Sequence, residues 1–164
     1  MNDHVARMLR DAKDRLNDAD ILAQSGRASS GSESMLRILA LEVLLKTAQC
    51  AALGKYKRSH HYAALWATLP PSVKNAIQSV AAQRFPGHAD LSNVELLFSD
   101  WEYAFTKGRY YFELYENYTL QQQRELGELW VCLGEPEHEA EVRFHPMELQ
   151  ALVEGIVAYV ESAP

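Results

Sequence analysis

Glu42 and Lys46 stand four residues apart in a run that is otherwise Leu, Ile, Val and Ala. At that spacing two side chains share one face of a helix, and Gln49 extends the same stripe. Two readings of the stripe stand open. One is an ordinary exposed ion pair. The other aims the charges into a polar pocket between helices, where they require partners because a buried charge left alone is strongly destabilising. Arg109 and Glu113, again four apart in Lys107-Gly108-Arg109-Tyr110-Tyr111-Phe112-Glu113, are the best candidate partners, unless they pair only with each other at the surface. His60 and His61 close the one concentrated basic stretch, which carries Lys55, Lys57 and Arg58 and lies just ahead of an expected helix start. Cations at a helix N-terminus attract anions; a solvated loop is the plainer reading.

Glu42, Lys46, His60, His61, Arg109 and Glu113 therefore form the candidate ligand-binding set. No catalytic residue, metal ligand or cofactor is expected. The histidines are dispersed, and neither His-Glu-x-x-His nor Cys-x-x-Cys occurs. A Gly-rich phosphate loop, a nucleophile elbow and a dinucleotide fingerprint are absent too.

The elements that must position these residues are helical. Apolar residues recur at steps of three and four, and strand-like alternation is nearly absent. The pattern predicts an all-α, up-and-down bundle of about five main helices in a single domain over 1–164. The first helix covers about 3–25, with Val5, Met8, Leu9, Ala12, Leu16 and Ala19 in one stripe, and Gly26 ends it. The second covers about 33–53, with a capping box from Ser30 and Glu33 at its start and Gly54 as its stop. A third begins near His61 and breaks at Pro70, with Pro71 opening a new stretch to about Arg84. The fourth opens at Ser92-Asn93-Val94-Glu95, a capping-box pattern, and runs to about Asn117. A segment over 120–133 either continues it or follows a kink. The last opens at Pro146 and runs to about Val160.

Trp101, Gly108, Tyr111, Tyr115 and Tyr118 fall near one face of the expected fourth helix. Such a stripe implies core or a subunit interface, with a base-stacking platform as the alternative. Gly108 disfavours a helix interior by about 1 kcal/mol relative to Ala, which suggests close approach by another helix.

Composition sets the outer limits. The 164 residues are 48% hydrophobic, enough for a real core. The net charge of −6 disfavours broad, non-specific binding to phosphate backbones. Cys50 and Cys132 lie in apolar runs and are expected as buried free thiols. The polar opening Met1-Asn2-Asp3-His4 has no signal core. Arg37, Glu42 and Lys46 interrupt the longest apolar stretch, so no membrane span is expected and the location reads as cytoplasmic.

The run Ala40-Leu41-Glu42-Val43-Leu44-Leu45-Lys46, a basic loop ending in His60-His61, and then Tyr62-Ala63-Ala64-Leu65-Trp66-Ala67-Thr68-Leu69-Pro70 resembles the HEPN domain family. Arg109-Tyr110 and Glu113 resemble the Arg-Tyr segment in the fourth helix of some members. The resemblance spans roughly 11–118. It implies a bundle of about five helices that often dimerises, in a family holding both RNA-cleaving toxins or defence proteins and non-catalytic members. The RNase members carry an Arg, four to six residues, and then a His. No Arg here has that spacing: after Arg109 the relevant positions hold Leu114, Tyr115 and Glu116, and His88 follows Arg84 too closely. Without that His the proton-transfer group is missing. The resemblance thus implies a non-catalytic homodimer that binds a nucleotide, RNA or a partner protein, in a defence or toxin–antitoxin setting. Two alternatives are a diverged ribonuclease using a loop His with Arg109, and a protein-binding neutraliser whose acidity suits a basic partner.

Overall fold

A computed structural model describes residues 2–25, 31–136 and 139–163. Seven α-helices and one 3-10 turn are formed among them, with no β-strand. They are α1 (Asp3–Gln24), α2 (Ser32–Leu53), α3 (Tyr62–Ala67), α4 (Pro71–Arg84), α5 (Val94–Gly108), α6 (Leu120–Cys132) and α7 (Pro146–Ser162), with the 3-10 turn at Tyr111–Tyr115 between α5 and α6. The all-helical class follows the periodicity. The count exceeds the expected five because two expected helices are each divided.

α2 is the hub. Helix α1 packs along it, and α7, α3 and α5 meet it on other sides, while α4 packs on α7. Residues around most of the circumference of α2 are buried, from Ile38 through Leu41 and Leu45 to Cys50. A helix apolar all round has to be enclosed. Its ends are glycines, Gly31 and Gly54, both in the left-handed region at φ 71°. Ser30 of the expected Ser30–Glu33 capping box and the Gly26 stop lie outside the described residues; Gly31 stands at the N-cap of α2, and Glu33 pairs with Arg37. The deepest packing beside α2 is aromatic. Phe98 meets Trp66 and Trp101 edge-on, each at 5.9 Å between ring centres, and Tyr62 at 6.4 Å. The indole N–H of Trp101 donates to the Phe144 carbonyl, tying α5 to the segment before α7.

Pro70 separates α3 from α4 at the expected place. Asn93, rather than Ser92, caps α5, its side chain accepting from the Leu96 N–H. The larger correction lies at the other end of α5. The helix stops at Gly108 instead of continuing to about Asn117, and Tyr110 leaves helical geometry at φ −128°, ψ 45°. Gly108 followed by Tyr110, Tyr111 and Phe112 is a run of weak helix formers, and no buried face repays the difference. The expected aromatic stripe is therefore not one face: Trp101 is fully buried, whereas Tyr111 and Tyr118 are exposed. The 120–133 segment is a separate helix, opened by a capping box in which Thr119 and Gln122 each bond the other's backbone N–H.

Cys50 is a buried free thiol, as expected, and burial pushes it up from the ordinary thiol range. Cys132 is free but exposed, a correction that follows from α6 having no buried residue. Gly108 does sit against another helix, but a Cβ there would meet only the flexible end of Met35, at 3.1 Å. The demanding close approach is at Gly155 of α7, where a Cβ would lie 2.5 Å from the Ile77 carbonyl oxygen on α4. Backbone cannot yield as a side-chain tip can. Gly155→Ala is expected to lower unfolding stability by about 2 kcal/mol through the α4–α7 contact, read from denaturant titration, whereas Gly108→Ala should be near neutral.

Candidate functional site

Helix spacing brings two rows of side chains to a shared cleft. On α5, Glu102, Phe105, Thr106 and Arg109 recur at the i, i+3, i+4, i+7 positions of one face. On α2, Leu39 and Glu42 do the same. The loop between α2 and α3 forms the third side with His60, His61 and Tyr62, and the half-open cleft has a volume of about 510 Å³. That is the scale of a small-molecule pocket.

Glu42 lies at the floor, 7% exposed. One carboxylate oxygen accepts from the Lys46 ammonium at 2.7 Å and meets the His60 Nδ1 at 3.0 Å. Lys46 is itself mostly buried, with 14% of its side chain exposed. Neither of the open readings of the stripe is quite the outcome. It is an i,i+4 pair, but an enclosed one that faces a cleft.

The opposite wall repeats the arrangement. Glu102 accepts the backbone N–H of Tyr62 through one oxygen and meets the His61 Nδ1 at 3.3 Å through the other. Both imidazoles therefore engage a carboxylate through Nδ1 and leave Nε2 as the free ring nitrogen, on side chains that are 86% and 79% exposed. The expected anion site at the start of α3 is not there as expected. A carboxylate of the protein already occupies that helix terminus, which has only six residues behind it.

Tyr62 is buried between the two dyads. Burial holds its phenol well above the usual tyrosine range, and the negative charges of Glu42 and Glu102 push the same way, partly offset by Arg109. Arg109 caps the C-terminus of α5, with its guanidinium 5.0 Å from the Phe105 ring centre and 5.9 Å from that of Tyr110. Such cation–π contacts fix the direction of the charge without neutralising it. Among the described residues no carboxylate is within ion-pair distance of it.

Glu42, His60, His61 and Arg109 thus meet at one cleft, with Lys46 behind Glu42. Glu113 does not join them. Since α5 ends at Gly108, Glu113 lies in the 3-10 turn, exposed, and the helical i,i+4 relation to Arg109 does not exist. Glu102, Phe105 and Thr106 were not singled out from the sequence, although their spacing to Arg109 carries the signal. Gln49 was noted only as part of the stripe. Buried to 1% exposure, it donates to the Leu65 carbonyl and to the Thr68 hydroxyl, both at 2.6 Å, and accepts the Lys57 N–H at 2.7 Å. It pins the histidine-bearing loop to α3 and to the core.

No group of three or more His, Cys, Asp or Glu side chains suited to a metal ion occurs among the described residues, and no described helix is long and apolar enough to cross a membrane. No family model, curated protein or solved structure matches this chain.

Proposed function

We propose that this chain is a non-catalytic, HEPN-like ligand-binding protein whose cleft between α2 and α5 takes a phosphate-bearing ligand, a nucleotide or the exposed end of an RNA. The observation that carries this is Arg109. Its charge is oriented by Phe105, lines the cleft, and among the described residues has no carboxylate within ion-pair distance. A guanidinium presents donors in a fork that matches phosphate oxygens. The free Nε2 atoms of His60 and His61 add two further polar contacts at the rim, and Phe105 adds an apolar surface below them. Two carboxylates, Glu42 and Glu102, line the cleft beside Arg109, with Lys46 offsetting Glu42 from behind, which disfavours a general attraction for polyanions.

Calorimetric titration with the four ribonucleoside 5′-monophosphates and a short single-stranded RNA tests it. At least one is expected to bind, with Arg109→Ala weakening it by about tenfold or more, equivalent to about 1.4 kcal/mol, and Arg15→Ala leaving it unchanged. If none binds, or Arg109→Ala is silent, the reading fails.

The two His–Glu dyads favour a second reading, a diverged ribonuclease. An imidazole held by a carboxylate on Nδ1 presents Nε2 as a proton acceptor or donor, and two of them beside an arginine are the groups that phosphodiester transfer calls for. RNA cleavage that disappears in both His61→Ala and Arg109→Ala would replace the first reading with this one.

A further inference from the structure

At the base of the cleft, Glu42 makes both of its contacts, with Lys46 and with His60, through Oε1. Its Oε2 takes no hydrogen bond from any described residue. The Tyr62 hydroxyl is in the same position: the hydrogen bond from Tyr62 to Glu102 is made by the backbone N–H, and the side chain makes none. Yet no enclosed side-chain oxygen is left unmatched among the described residues. Both atoms are therefore reached from outside, although Glu42 is only 7% and Tyr62 2% exposed. The way in is the cleft. Both residues line it, and so do Glu102 and Arg109, whose charges act with that of Glu42 on the Tyr62 phenol. Glu102 itself is closed, with the Tyr62 N–H on one oxygen and His61 on the other.

The two open atoms differ in kind. A carboxylate oxygen only accepts. Tyr62 keeps its proton, since burial holds the phenol well above its usual range, so its hydroxyl donates. Edge-on packing against Phe98 fixes the direction of the ring. Polar atoms this deep are destabilising when nothing matches them, and a site built around such atoms rejects ligands that cannot complete them. We propose that Glu42 Oε2 and Tyr62 Oη select the neutral polar part of the ligand, a group that donates to the carboxylate and accepts from the phenol. Within the nucleotide reading, on which this rests, that group is a ribose hydroxyl or a base edge carrying an N–H beside an acceptor. Arg109 holds the phosphate, and the floor of the cleft chooses what is attached to it.

Calorimetric titration of the full chain with the ribonucleoside 5′-monophosphates, their 2′- and 3′-deoxy forms and the free nucleosides tests this. Tyr62→Phe removes a hydroxyl but no hydrogen bond within the protein, so the unfolding midpoint should stay at the wild-type value. The nucleotide bound best is expected to weaken by about fivefold or more in Tyr62→Phe, the contribution of one hydrogen bond. Glu42→Gln keeps an amide oxygen for Lys46 and should weaken that nucleotide by about as much, because a neutral group replaces a charged acceptor. Where either deoxy form is already weaker and indifferent to Tyr62→Phe, the selected group is a sugar hydroxyl. Where both stay as tight and as sensitive as the parent, it is the base edge. Nucleotide binding that Tyr62→Phe leaves unchanged overturns the proposal while the phosphate reading, decided by Arg109→Ala, stands. Free nucleosides that weaken in Tyr62→Phe, with Arg109→Ala silent, keep the floor and remove the phosphate reading. Binding of none of the probes overturns both.

Discussion

Gln49→Leu is expected to destabilise the protein by about 3 kcal/mol and to free the loop carrying both histidines. The side chain satisfies three groups at once, from three places in the sequence. Leucine fills a similar volume and makes none of these bonds. The Leu65 carbonyl keeps the Thr68 hydroxyl as a donor, but the Lys57 N–H loses the acceptor that ties the loop to α2. A buried polar group left unmatched costs about 1–3 kcal/mol, which puts the total near the stated figure. Denaturant unfolding measures it, and the Lys57 amide should exchange faster in the native state. Ligand binding should fall as well, although Gln49 does not line the cleft, because His60 and His61 lose their register against Glu42 and Glu102. A loss below about 1 kcal/mol, within the range of an ordinary hydrogen bond, would show that the loop is held by something else.

This residue illustrates how far the sequence could be read. The helices were legible because their apolar residues recur at helical steps, and the break at Pro70 because proline cannot continue a helix. Glu42 and Lys46 stood out as charges in an apolar run. The site's other half was less visible. Glu102, Phe105, Thr106 and Arg109 share a face of α5, but an expected helix running to about Asn117 places Glu113 on that face only by extrapolation. The stop at Gly108 depends on whether packing repays weak propensities, and that is a tertiary quantity. The Thr119–Gln122 capping box was present as a local pattern and marks α6 as a new helix. The partners of Gln49 could not be inferred, since a backbone carbonyl and a backbone N–H carry no sequence signal. The exposure of Cys132 is equally invisible: an apolar run reads the same whether or not the chain supplies its cover.

The largest loss is expected for Glu42→Ala, about 3–5 kcal/mol, the range seen when one member of a buried ion pair is removed. Lys46 would remain largely enclosed, with 14% of its side chain exposed, and without its carboxylate. Glu42→Gln should be milder, because an amide oxygen still accepts from the ammonium. The informative variant is the double replacement Glu42→Leu with Lys46→Leu. Burying two charges is expensive, so an apolar pair of similar volume is often neutral or stabilising, and unfolding stability is expected to return to within about 1 kcal/mol of the wild type. If the pair existed only to hold the bundle together, the double variant would then be a fully working protein. The geometry argues against that outcome, because the same Glu42 oxygen that accepts from Lys46 also meets His60 Nδ1. With leucine in its place the imidazole loses its anchor, and binding of the nucleotide probe at Arg109 should weaken while the fold stays intact. Recovered stability with lost binding would assign the buried pair to the site; recovered stability with full binding would assign it to the fold alone.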